Sequence, residues 1–345
     1  MDWKHADMKH GMKICLLVCL AGLCIIVPAC GKKEMTEKDK AELLQLYSQS
    51  YKLSDPGELD RTAERILLII SGMKENIYTE TFRVHAYSIR GFSASIRNDR
   101  SSAVKNMEYA LELLQKIQDA ECYFKLAADI YFVLFRVNRD DPSVAEHWLD
   151  RLDRLVVDEM KHVRYQHGTQ NYRNIVHLKK YENLVVRAEY LLLTRKDLSG
   201  AEKLLLSGIG EMERTAEKMP VRPLLSCCDL LSELYYRKQD DRSCRIYAEK
   251  CLELAVRYDE LPSFADEHLY ELCIREKDYP AALNCCRAFL SLSFVRDAKS
   301  ARLRRKYLLR AADACRKMND LQGAASYRSQ AEMIKTPVSD QNNIR

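Results

Sequence analysis

From Ala41 to about Ile334, apolar residues recur at spacings of three and four, the signature of amphipathic helices that each bury one stripe. Two stretches before this region read differently. Ile14 to Val27 is an unbroken apolar run of 14 residues behind Lys4, Lys9 and Lys13. A helix that crosses a bilayer needs about 20 residues, so a shorter run behind basic residues predicts the core of a secretion signal. From Gly31 to Lys40 the chain is polar with mixed charge, as expected of a tether. Beyond Ile334 the periodicity stops, and a loose tail is expected. The pattern divides the chain into a signal over 1–29, a tether over 30–40, a helical-repeat domain over 41–334 and a disordered tail over 335–345.

Composition narrows the fold class to all-α. Only 11 Gly and 8 Pro occur in 345 residues, too few for the many tight turns of a β-sandwich or barrel. The 55 basic residues barely outnumber the 50 acidic ones, an even balance that argues against a nucleic-acid partner.

Within the helical region one pattern repeats. A helix ends near an Asp, and a small residue follows four positions later. The pairs are Asp99 with Ala103, Asp141 with Ala145, Asp197 with Ala201, Asp240 with Cys244, Asp278 with Ala282, and Asp320 with Ala324. The steps between successive Asp residues are 42, 56, 43, 38 and 42. A second small residue often returns seven positions on: Ala110, Gly208, Cys251 and Ala331. Small side chains let helices approach closely, and the Asp is placed to cap the second helix of a hairpin by accepting from its free backbone N–H groups. A hairpin cannot bury its apolar face alone, so stacking supplies the core. The long step from Asp141 to Asp197 predicts extra helix or loop around His162 to His177.

These residues resemble the tetratricopeptide-repeat (TPR) family, most clearly from Leu308 to Ala331, with Ala312, Asn319-Asp320-Leu321, Ala324 and Ala331. The resemblance covers 41–334 and implies a TPR-like α-solenoid of stacked helical hairpins. It departs from the family in two ways. The repeats are longer and less even than the usual length of about 34 residues. Leu308 also stands where a large aromatic is usual. A generic α-solenoid or irregular bundle is the alternative. Val27-Pro28-Ala29-Cys30-Gly31 resembles the lipobox of bacterial lipoproteins, although Pro28 is an unusual occupant. That resemblance implies cleavage before Cys30 and acylation of Cys30, and hence a lipid-anchored protein of the bacterial cell envelope. Gly31 lacks the Asp that favours inner-membrane retention in some lipoproteins, so the outer membrane, on its periplasmic face, is expected. An uncleaved anchor or an ordinary signal with a chance cysteine would give the same pattern.

Chemistry is sparse. The sequence carries no glycine-rich phosphate loop, no Gly-x-Ser-x-Gly, no His-Glu-x-x-His and no Cys-x-x-Cys, so no enzyme, cofactor or metal is expected. His162, His167 and His177 lie among Lys161, Arg164, Arg173, Lys179 and Lys180, which reads as a solvated basic surface. Trp148 reads as core. Beyond Cys30, cysteines occur at 122, 227, 228, 244, 251, 273, 285, 286 and 315, several of them at small-residue positions, and are expected to be reduced core residues.

The TPR resemblance implies a protein or peptide partner bound along the first helices of the hairpins. The register places Tyr190 and Leu193 there, then Asp229, Glu233, Tyr236 and Arg237, then Glu267, Glu271, Ile274 and Arg275, then Asp313, Arg316 and Lys317. Such a mixed-charge groove, anchored by Tyr236, would suit a partly basic segment. Ordinary solvated helix faces with i, i+4 pairs such as Glu233 with Arg237 are the plainer reading. Other functional readings are a ligand-binding component of an outer-membrane nutrient-uptake system, and a sensor or regulatory repeat protein.

Overall fold

A computed structural model describes residues 32–117, 120–165, 170–214, 221–296 and 300–334. The expected signal, Cys30, His167 and the tail from residue 335 lie outside the described residues. Among the described residues the chain is helical, and its one strand-like feature is an isolated bridge between Lys33 and Met73. Where the sequence suggested a single domain over 41–334, contacts divide the chain into two compact units, one ending at Val137 and the other beginning at Asn138.

The first unit holds α1 (Glu37–Ser50), α2 (Pro56–Ser71), α3 (Ile77–Ile96), α4 (Arg100–Leu114) and α5 (Ala120–Val137). The second opens with α6 (Pro142–Tyr165) and α7 (Gln170–Glu189), which runs into a π-helical turn at Tyr190–Arg195. It continues with α8 (Leu198–Arg214), α9 (Val221–Arg237), α10 (Asp241–Tyr258), α11 (Ala265–Arg275) and α12 (Tyr279–Ser291). The short α13 (Ser293–Arg296), α14 (Ala301–Lys317) and α15 (Leu321–Glu332) complete it.

The repeated Asp is a helix cap in all six places. Its carboxylate accepts from the backbone of Ser102, Ser143, Gly200, Ser243, Ala281 and Gly323 at 2.8–3.2 Å. In four copies the same residue also ends the helix before it. Asn98, Gln239, Lys277 and Asn319 adopt left-handed φ near 60°, and the N–H of the following Asp returns to the carbonyl five residues back. One Asp thus closes a Schellman turn and caps the next helix, which fixes the hairpin with no spacer. The small residues four positions on are buried: Ala103, Ala145, Ala201, Cys244 and Ala282 have no exposed surface, and Ala324 has 6%. A larger side chain at these sites would hold the helices apart.

The long step between Asp141 and Asp197 comes from longer helices. α6 has 24 residues, α7 has 20, and the π turn adds six. The π turn also shifts the closing bond, so that Asp197 N–H reaches Leu191 O, six residues back. The carbonyl of Leu192, displaced from the regular ladder, accepts from the Arg237 guanidinium at 3.3 Å.

Residues 32–40 of the expected tether form defined structure. Lys33 and the 72–74 backbone exchange hydrogen bonds at 2.9 and 3.0 Å. α1 starts at Glu37 through a capping box between Thr36 and Asp39. The polar composition of 32–40 therefore serves a capped helix start. The core of the first unit includes Leu43, Leu59, Ala63, Ile66, Ile70 and Phe82. The main core of the second runs from Tyr181 to Ala324, and Val156 and Val176 form a satellite with Met160 packed against it.

Candidate functional site

The structure corrects the placement of three residues expected to line a groove. Tyr190, Asp229 and Glu233 are 2, 5 and 8% exposed. Tyr190 sits in the π turn and packs inward. The other two join consecutive first helices of the second unit. Asp229, on α9, accepts from Ser263, Phe264 and Ala265 N–H at 2.8, 2.9 and 2.7 Å. α11 has Phe264 at its N-cap position and no side-chain cap of its own, so Asp229 supplies that cap from the neighbouring helix. Burial pushes the Asp229 carboxyl up, and the three N–H donors oppose the shift.

One turn further along, Glu233 accepts from His268 Nε2 at 2.6 Å and from Arg237 Nε at 2.5 Å. These donors, His268 first, hold its carboxyl below the usual range. Tyr236 stacks on His268 with ring centroids 4.1 Å apart and donates to Glu271 at 2.7 Å. Arg275 pairs with Asp241 at 2.9 Å. The pattern continues to α14, where Asp266 accepts from Tyr307 and Lys306, both at 2.9 Å, and Lys306 also reaches Glu267 at 2.5 Å. Arg316 pairs with Asp313 at 2.6 Å. The face expected to be an open mixed-charge groove is a ladder whose charges are engaged within the chain. Asp266, His268, Lys306 and Tyr307 belong to it and were not legible from the Asp-anchored register.

An open face lies in the first unit. α1, α3 and α5, the first helices of their hairpins, border a cleft of about 480 Å³. α1 contributes Lys40, Leu44 and Tyr47; α3 contributes Ile77, Tyr78, Thr81 and Phe82; α5 contributes Cys122, Lys125 and Leu126. Leu44 is 59% and Tyr78 55% exposed, high values for side chains of this size. Among the described residues two lysines and no carboxylate line the cleft, and Lys40 is paired with Glu37 at 2.7 Å. Lys125 Nζ lies 4.6 and 5.0 Å from the ring centroids of Tyr47 and Tyr51. Lys40 lies 5.5 Å from Tyr78.

Buried His85 holds the rings in place. It packs 4.3 Å from Tyr47 and meets Ser50 Oγ at 3.1 Å. The Ser50 hydroxyl donates to Tyr47 O, so its oxygen accepts from His85 Nε2–H, and the imidazole is neutral. Burial, with the Lys125 charge behind it, lowers the His85 pKa to about 3.

The cysteines occupy core positions as expected, with Cys122 alone half-buried among those described. Desolvation pushes the thiols of Cys227, Cys228, Cys244 and Cys286 up to about 12, which makes them poor nucleophiles and poor metal ligands. Among the described residues no group of His, Cys, Asp and Glu is arranged to hold a metal ion, and no helix is long and apolar enough to cross a membrane.

No family model matches the chain, and no curated protein matches it. Solved structures do. The apo form of RapI is similar over 84% of this chain and 84% of its own length, with 12% identity and a TM-score of 0.51. The fold is a TPR-like helical repeat. BtubC (BKLC) from P. vanneervenii covers 85% of this chain and 90% of its own at 13% identity, with a TM-score of 0.42. A Rap protein complexed with Competence and Sporulation Factor covers 85% of this chain and 97% of its own at 11% identity, with a TM-score of 0.37. At these identities the likeness concerns the helical-repeat fold alone, and function has to be argued from the two faces just described.

Proposed function

We propose that this helical-repeat protein is a scaffold that binds a protein or peptide segment, and that the segment docks on the α1–α3–α5 face. One observation carries the reading: large apolar side chains, Leu44, Ile77 and Tyr78, stand exposed around a concave site of about 480 Å³. Exposed apolar surface around a cleft is what a docking segment buries, and tyrosines are favoured anchors. Lys125, held over the tyrosine rings, suits a segment that pairs apolar side chains with an acidic group.

The reading includes a lipid anchor at Cys30, supported by Val27-Pro28-Ala29-Cys30 and the short apolar run before it. Two acyl chains give stable attachment where one would be marginal. The site of action is then the cell envelope, at the outer membrane on its periplasmic face. No part of the reading requires an enzyme, a cofactor or nucleic acid.

Site-specific photo-crosslinking in intact cells tests the docking face. A crosslinker at position 78 is expected to trap one protein partner, and one at position 237 none. Trapping at 237 with none at 78 would move the site to the second unit and defeat the proposal. Metabolic labelling with a fatty-acid analogue tests the anchor. Cys30→Ala is expected to lose the label, and equal labelling of both chains would refute lipidation.

A further inference from the structure

The longest helix pair encloses a second cleft, of different chemistry and within the second unit. It has a volume of about 760 Å³, in the range of small-molecule sites. α6 lines it with Asp153, Val156, Val157, Met160 and Lys161, an i, i+3, i+4, i+7, i+8 stripe. α7 and Leu204 of α8 complete it. Among the described residues its apolar walls are Val, Met and Leu, with no aromatic ring. Flexible aliphatic walls that include a methionine suit a hydrocarbon chain.

The polar groups specify the other end of such a ligand. His177, Lys180 and Asn183 follow one another along α7 at spacings of three. His177 is exposed, with no hydrogen-bond or ionic partner. Lys180 shares Glu211, an ion pair whose side chains are 39 and 38% exposed, so it holds the lysine weakly. The Asn183 side chain lies at the edge of the cleft, but its amide nitrogen is shut off from solvent and does not open into it. Asp153, the one carboxylate in the lining, is tied to Arg187 at 2.7 Å. Lys161 pairs with Asp158 at 3.1 Å on the exposed surface.

We infer that this cleft binds a fatty acid, with its carboxylate on Lys180 and His177 and its chain along Val156, Val157, Met160 and Leu184. No covalent step is involved, and the inference is independent of the docking face in the first unit.

The test uses the full chain carrying Cys30→Ala, so that no acyl chain of its own competes, in detergent-free buffer. Calorimetric titration with dodecanoate and with dodecanol separates charge from chain. Dodecanoate is expected to bind about tenfold tighter than dodecanol. Val157 is 51% exposed, so Val157→Glu leaves folding intact while placing a like charge in the site, and should abolish binding. Lys180→Glu should abolish the preference for dodecanoate over dodecanol. Val256→Glu, an equivalent change at a 45% exposed residue of α10, should alter neither. Equal affinity for the two amphiphiles, the same loss in Val256→Glu, or no dodecanoate binding below its micellar concentration would overturn the inference.

Discussion

The first helices of the two units present opposite solutions to the same problem. In the second unit the polar groups are numerous and nearly all are engaged: Asp229 caps α11, Glu233 holds His268, Tyr236 reaches Glu271, and Asp266 takes Tyr307 and Lys306. In the first unit the equivalent helices leave Leu44, Ile77 and Tyr78 in solvent around a cleft. A charge already bonded inside the chain gains little from a partner, because binding would only exchange one hydrogen bond for another. An exposed apolar ring gains the whole of its burial. The charged face is therefore engaged within the chain, and the proposed docking face is the apolar one.

The largest effect expected from this contrast is on stability. Asp229 is buried and satisfies three backbone N–H groups that have no other acceptor. Asp229→Ala should cost about 3 kcal/mol, since it orphans buried donors at a helix start. Asp99 makes the same kind of cap from an exposed position in its own turn, and Asp99→Ala should cost only about 1 kcal/mol. Urea unfolding of both variants measures the ratio. Equal costs would mean that the ladder adds nothing beyond ordinary capping.

Local signals were legible in the sequence, and cross-helix ones were not. The Asp caps, the small residues behind them and the buried cysteines follow from spacing within one hairpin, where backbone geometry dictates residue type. The ladder depends on residues 34 to 41 positions apart, such as Asp229 with Ser263 and Asp266 with Tyr307, and side-chain direction decides whether Asp229 faces solvent or its neighbour. The open cleft escaped for another reason. Asp55 caps α2 through Glu58 N–H at 2.8 Å, but Leu59 stands where the other copies have a small residue, so the register was not extended to α1. The spacing of Lys40, Leu44, Tyr47 and Tyr51 along α1 was the available clue.

A smaller effect distinguishes the units by pH. His85 is neutral and buried behind the rings of Tyr47 and Tyr51, with Ser50 and the Lys125 ammonium facing it. Its pKa falls from 6.5 in the unfolded chain to about 3 in the folded one. Below pH 6.5 the unfolded state therefore binds a proton that the folded state refuses, and stability drops as pH falls through that window. Between pH 7 and 5.5 the loss from this one group is about 1 kcal/mol. His85→Gln should keep the Ser50 contact and remove that share of the slope. A variant with the parent's pH dependence would show that His85 does not set it.

The smallest stability effects give the sharpest reading of the comparison. Tyr78 is 55% exposed, so Tyr78→Ala removes little that folding had buried, and its cost should be about 0.5 kcal/mol. Glu271 is exposed and makes one hydrogen bond, from Tyr236, so Glu271→Ala should cost about the same. The two variants are thus matched in stability and differ only in which face they alter. Any difference in partner capture then reports binding alone. Crosslinked pull-down from membranes should lose the partner with Tyr78→Ala and keep it with Glu271→Ala. The reverse result would return the binding face to the α9–α11 ladder. Loss with both would imply a partner that spans the two units, and would end the division between a face that stabilises and a face that binds.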